Sequence, residues 1–194
     1  MSESTSTVSM PIPPHKSSGV LPPYIGKPTI STLMAPYRVS VAEIVARFGT
    51  SPARRDILRG YLRHRAELRN YGLHGVQYVD GSFIDKMTRE PRDIDVITFF
   101  VPPPEFNAAK AKAERPDVFD RHLSKHAFHC DALFVNLTLD PFETLDITRF
   151  WYGLFSHNRE DEWRGLLHVT LAADEDAAGI QMLDSMESAA TGES

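Results

Sequence analysis

Hydrophobic positions along the chain alternate between helical and strand spacing. Val41, Ile44, Val45 and Phe48 recur at helical intervals, which predicts a short helix over Val39 to Phe48, stopped by Gly49. Ser51-Pro52 opens a longer helix, with Ser51 as N-cap and proline at the first helical position. Ile57, Leu58, Tyr61, Leu62 and Leu68 form its apolar stripe, and Gly72 ends it. HGVQYVD, from His74 to Asp80, reads as a strand running into Gly81-Ser82 and a turn or short helix. DIDVITFFV, from Asp93 to Val101, is strongly strand-like and stops at Pro102-Pro103-Pro104. Phe106 to Lys125 is mostly helical with a break near Pro116, and His129 to Leu137 is a third strand. Thr148 to Phe155 reads as an aromatic helix, and Gly165 to Leu171 as a last, edge strand.

The ends differ in composition. Residues 1–18 are polar and proline-bearing, too poor in apolar groups to offset ordering entropy, and are expected to be disordered. The proline-rich stretch from 19 to 37 is expected to lie along the domain as an arm, and residues 19–171 to form that domain. Residues 172–194 read mainly as an acidic tail, with a short helix over Asp174 to Met186 as the alternative. Acids at 160, 161, 162, 174, 175, 176, 184, 187 and 193 face one base, Arg164.

The net charge of −5 over 194 residues excludes a generally cationic nucleic-acid coat but not a local basic patch. Such a patch lies on the helix from Pro52, where Arg54, Arg55, Arg59, Arg63, Arg65 and Arg69 cluster. It reads as a solvated, ion-paired face, or as a platform for RNA phosphates or an acidic partner, including self-association through residues 52–71. The acidic C-terminal stretch is itself a candidate occupant. The single cysteine, Cys130, excludes an internal disulfide. No apolar run approaches the ~18 residues of a membrane span, and the N-terminus lacks a signal-peptide core, so a cytoplasmic setting is expected.

The stretch from Tyr78 to Phe100 carries the chemistry. A strand runs into Gly81-Ser82, where a glycine lets backbone approach a ligand and Ser82 adds a hydroxyl donor. Asp93 and Asp95, two apart on a strand, project from one face. Such close carboxylates repel unless a cation joins them, and hard oxygen ligands suit Mg²⁺ or Mn²⁺ shared with a polyphosphate. Asp131 opens an apolar strand of its own, and pairing beside the first would bring it to the same rim. Lys86, Arg89 and Arg92 lie between the two halves as candidate phosphate contacts.

Gly81-Ser82, ten intervening residues, Asp93-Ile94-Asp95 and the later Asp131 resemble the signature of the polymerase-beta-like nucleotidyltransferase superfamily. Leu21-Pro22-Pro23, Arg47-Phe48-Gly49 and Asp80-Gly81-Ser82 are similar to features of small bacterial minimal nucleotidyltransferase-like proteins of unassigned function. The resemblance implies an α+β fold: a small mixed, mostly antiparallel sheet of four to five strands with helices on one side. It also implies transfer of an NMP group from an NTP to a protein or RNA acceptor. Gly81, Ser82, Lys86 and Arg92 would hold the phosphates, and Asp93, Asp95 and Asp131 the metal ions, with Asp131 also helping to deprotonate the acceptor. Toxin–antitoxin or phage-defence settings are those the small members suggest. The chain lacks the additional helical domain of many larger transferases, which leaves two alternatives open: a catalytically idle nucleotide-binding regulatory domain, or a protein-interaction module.

Overall fold

The computed structural model describes residues 12–27, 33–86 and 89–192. Five strands form one mixed sheet in the order β1-β5-β2-β3-β4, comprising β1 (Tyr37–Arg38), β2 (His74–Asp80), β3 (Ile94–Val101), β4 (Cys130–Asn136) and β5 (Leu167–Thr170). Two junctions, β5 to β2 and β2 to β3, are antiparallel; β1 to β5 and β3 to β4 are parallel. The seven helices are α1 (Val41–Phe48), α2 (Pro52–Asn70), α3 (Ala108–Glu114), α4 (Pro116–Phe119), α5 (Arg121–Phe128), α6 (Pro141–Phe155) and α7 (Ala173–Gly192). Among the described residues no helix is long and apolar enough to cross a membrane.

The helix boundaries follow local chemistry. Ser40 caps α1 in a reciprocal box with Glu43, and Ser51 caps α2 through the Arg54 amide, ahead of Pro52. The α3–α5 segment breaks where expected, at Pro116, and breaks again at Asp120, whose carboxylate caps α5 by accepting from the His122 and Leu123 amides. β5 lies inside the sheet, not at its edge. The edge is taken by β1, a two-residue strand too short for any periodic signal, which the sequence places within the arm.

Side-chain alternation divides the sheet into two faces. Across β2, β3 and β4 the register aligns Val79 with Val96 and Ala132, and Gln77 with Thr98 and Phe134. This face lies under α2: Tyr61 donates to Gln77 Oε1 at 2.9 Å, and the Gln77 amide donates to Thr98 Oγ1 at 2.9 Å. Leu58, Tyr61 and Leu68 of α2 are buried against the core together with Ile94, Val96 and Cys130. The opposite face carries Tyr78, Ile97 and Leu133 in one row and Asp80, Asp95 and Asp131 in the next. The expected one-sided layering describes α2 with its neighbours α1, α5 and α7; α6 touches the sheet at β4, with its Tyr152 an electrostatic neighbour of Tyr78 on the other face.

Both ends are more ordered than their composition suggests. Residues 1–11 lie outside the described residues, but 12–18 are held on the domain. His15 Nε2 lies 2.8 Å from the Ile84 carbonyl, Ser18 donates to Glu162 at 2.7 Å, and Lys16 pairs with the same carboxylate. The acidic stretch expected as tail is α7, which packs on α1 and α2. Asp176, Gly179 and Leu183 form its buried side, and a Cβ on Gly179 would lie 2.5 Å from Val41 Cγ1, so only glycine allows that approach. Asp176 bonds Arg65 Nε at 2.5 Å and also pairs with Arg69, while Arg59 reaches Asp184 at 2.7 Å and Glu187 at 2.7 Å. The arginine platform read on α2 is thus in large part occupied by the chain's own acids.

Arg65 is fully buried, so its charge depends on Asp176. Asp176→Ala is expected to lower unfolding stability in urea by about 3–5 kcal/mol, because it strands a buried guanidinium. Asp184→Ala, at the exposed end of the same helix, is expected to shift the urea midpoint little.

Candidate functional site: a row of carboxylates beside a glycine corner

The parallel pairing of β3 with β4 sets Asp95 directly against Asp131, and the antiparallel pairing of β2 with β3 sets Asp80 against Asp95. Three carboxylates therefore cross three adjacent strands in one row, with Asp93 two residues before Asp95. Two charges on neighbouring strands ~5 Å apart repel by roughly 3 kcal/mol at an effective dielectric near 20. The protein answers this with cations at both ends.

At the β2 end the cation is Arg164. Its guanidinium bonds Asp80 at 2.5 Å and Asp85 at 2.8 Å, all three groups buried. Asp80 and Asp85 bracket the Gly81–Ile84 turn, so Arg164 ties its two ends together. Burial pushes the Asp80 carboxyl up to about 8 against the pull of Arg164. At the β4 end the cations come from α5. Arg121 grips Asp131 through two nitrogens, the second at 3.0 Å, and Lys125 lies 2.5 Å from Asp93 and 3.4 Å from Asp131. Burial raises the Asp131 carboxyl, but Arg121 and Lys125 outweigh it and hold the group below its ordinary range. Asp95, in the middle, has no ion pair among the described residues. Burial, then the charges of Asp131 and Asp93, push its carboxyl up to about 6.

Gly81 joins the corner to the row. Its φ is +83°, and a Cβ there would stand 1.7 Å from Asp95 Oδ2, so the carboxylate rests against bare backbone. Of the residues read from the sequence, Gly81, Asp93, Asp95 and Asp131 come together here. Ser82, half-buried, begins the turn. Arg92 is exposed just before Asp93. Lys86 borders a separate cleft of about 550 Å³, with His15, Arg47, Phe48 and Arg54, whose lining includes none of the three metal-candidate acids. Its place among the phosphate contacts is therefore not supported by position.

The sequence reading missed the cations. Arg121 and Lys125 are one helical turn apart, just ahead of the strand that opens on Asp131, a spacing that puts both over the same rim. Arg164 is the single base in an acidic stretch, a signal for a buried partner.

The donors fit a divalent cation by type: carboxylate oxygens on one face beside a glycine cradle. Among the described residues no three of them converge closely enough to hold an ion as they stand, and Lys125 bridges Asp93 and Asp131. Those bases are exposed, Arg121 at 54% and Lys125 at 42%, so a competing divalent charge can displace them without unpacking the core.

Asp95 is raised from an ordinary 3.8 to about 6 in the folded chain. Its contribution to stability is complete at low pH and is lost as pH rises through that interval. Asp95→Asn is therefore expected to raise the melting temperature of metal-free protein above pH ~6.5 and to leave it unchanged near pH ~3.5. Gly81→Ala is expected to cost at least ~1–2 kcal/mol from its left-handed backbone alone, read by urea unfolding.

A search of curated proteins returns no match, and a search of solved structures returns none either. A family model matches residues 13–170, which span β1 to β5 and contain every residue of the carboxylate row, its α5 cations and Arg164. On that match the chain belongs to the family of unknown function DUF6932.

Proposed function

We propose that the chain binds a nucleoside triphosphate with divalent cations at the carboxylate row and transfers its nucleotidyl group to a hydroxyl or terminus of a protein or RNA. The observation that supports this most is the β3–β4 register, which puts Asp131 beside Asp95, whose carboxylate rests against the backbone of Gly81. Mg²⁺ or Mn²⁺ held by Asp93, Asp95 and Asp131 would neutralise charge on the attacking and leaving oxygens. The acceptor oxygen attacks the α-phosphorus, the bond from that phosphorus to the bridging oxygen breaks, and pyrophosphate departs. The acceptor proton passes to a carboxylate, for which Asp131 is the candidate once Arg121 lets go. Released from the acids, Arg121 and Lys125 become available to phosphate oxygens. The cytoplasm, where nucleoside triphosphates are abundant, is the setting we infer.

A second reading is favoured by the same two bases. Because Lys125 and Arg121 already neutralise Asp93 and Asp131, the domain is also suited to bind nucleotide without turning it over, as a regulatory subunit.

Incubation with each α-labelled NTP and Mg²⁺ or Mn²⁺ separates the readings. Transfer of label to protein or RNA, abolished in Asp93→Ala and Asp95→Ala, is the expected result. Labelling by either variant at the wild-type level overturns the transferase reading. Metal-dependent NTP binding by calorimetry without pyrophosphate release selects the regulatory one, and absence of binding removes both.

A further inference from the structure

Four of the large apolar side chains exposed among the described residues lie on α6. Phe142 is 78% exposed, Leu145 64%, and Phe150 and Leu154 57% each. Its opposite side, through Ile147, Trp151 and Tyr152, packs against the core, and Phe155 is buried. Leaving so many large apolar groups in water on one short helix is costly, and such patches mark interaction surfaces.

The order of residues on that face says what covers it. Phe142, Asp146, Arg149 and Gly153 follow at steps of four, three and four, a single seam, with Leu145 and Phe150 on its flanks. The seam is complementary to its own reverse. With a two-fold axis midway between Ile147 and Thr148, each residue meets its counterpart from the other end. Along the seam Phe142 meets Gly153 and Asp146 meets Arg149, while on its two flanks Leu145 lies beside the partner's Leu145 and Phe150 beside the partner's Phe150. Gly153 has no heavy atom within 4 Å of where a Cβ would stand, so a hole waits opposite a phenyl knob. Asp146 and Arg149 are 78% and 77% exposed and 3.9 Å apart within one helix, at the limit of an ion pair, so both are available to a partner. An apolar ligand or an unrelated helix would need no paired acid and base in the seam; a second copy in antiparallel order uses both.

We propose that α6 is the interface of a two-fold homodimer, its two copies antiparallel, with Phe142 seated on the partner's Gly153 and Asp146 paired with the partner's Arg149. The interface is isologous and closed. A 15-residue helix is roughly 22 Å long, which makes a small interface, so association falls in the micromolar range or weaker.

Sedimentation velocity of the full chain across a concentration series tests this. The wild type is expected to show a monomer–dimer equilibrium. Asp146→Arg and Arg149→Asp each set like charges opposite one another and are expected to weaken the dimer by ~10-fold or more, whereas the double swap restores it. Gly153→Trp fills the hole in open space, so the monomer keeps its circular dichroism spectrum while the dimer is lost. A wild type that stays monomeric at its highest soluble concentration overturns the proposal. So does a dimer that survives both single swaps and Gly153→Trp, or a double swap no better than the singles.

Discussion

Like charges on one face of a sheet must be compensated, and this requirement organises most of what surrounds the carboxylate row. The β3–β4 pairing is parallel and the β2–β3 pairing antiparallel, yet both bring an aspartate to the same level of the sheet as Asp95. Strand registers that bury Val79, Val96 and Ala132 against α2 force Asp80, Asp95 and Asp131 onto the other face together. The acids are therefore not separable from the core: slipping any strand by one residue would turn its carboxylates toward α2 and its apolar residues toward the row.

The two ends of the row are compensated differently, and the difference is chemical as well as positional. Arg164 is buried and planar, with two nitrogens committed to two carboxylates, and its withdrawal would leave Asp80 and Asp85 unpaired in a dry setting. It is a permanent part of the corner. Arg121 and Lys125 reach in from α5 with half their side chains in water. Their release would leave the largely buried Asp131 and Asp93 carboxylates uncompensated, so these bases are exchangeable only against another cation. Asp95 lies between the fixed and the exchangeable cations with no ion pair of its own among the described residues, and its carboxyl is raised first by burial and then by the charges of Asp131 and Asp93.

Much of this was legible in the residues. The apolar run of β3 marked it as a strand, and Asp-Ile-Asp at its start placed two acids on one side. The Gly-Ser corner and Asp131 could be joined to them only by assuming which strands pair. Sheet order itself left no such trace. β1 is too short to have a period, so β5 read as an edge when it is flanked on both sides. α6 begins at Pro141, well before the expected Thr148, because the intervening Phe142 and Leu145 point to solvent and break the apolar periodicity. α7 hid for the opposite reason: its buried side consists of Asp176, Gly179 and Leu183, only one of them a large hydrophobe. An ionic seam leaves a weak hydrophobic pattern, and the helix reads as acidic coil.

That seam also changes what the arginine-rich helix means. A run of guanidinium groups on a helix invites a reading as a nucleic-acid platform, but the deciding feature is which arginines are already satisfied. Arg65 bonds Tyr61, Gln77 and the Thr170 carbonyl inside the matched family region, and Asp176 just outside it. With four of its five N–H donors committed and its side chain fully buried, Arg65 is closed to phosphate. Arg59 and Arg69 are drawn to the same helix, and Arg54 donates to the Phe83 and Asp85 carbonyls beneath the glycine corner. Of the six arginines of α2, Arg59, Arg65 and Arg69 thus fasten α7, Arg54 supports the turn that carries Gly81, and Arg55 and Arg63 donate to the Gly49 and Ala127 carbonyls. Arg54 supports the backbone of the carboxylate site, and the exposed cations at its rim are Arg121 and Lys125 of α5, paired with its acids, and Arg92.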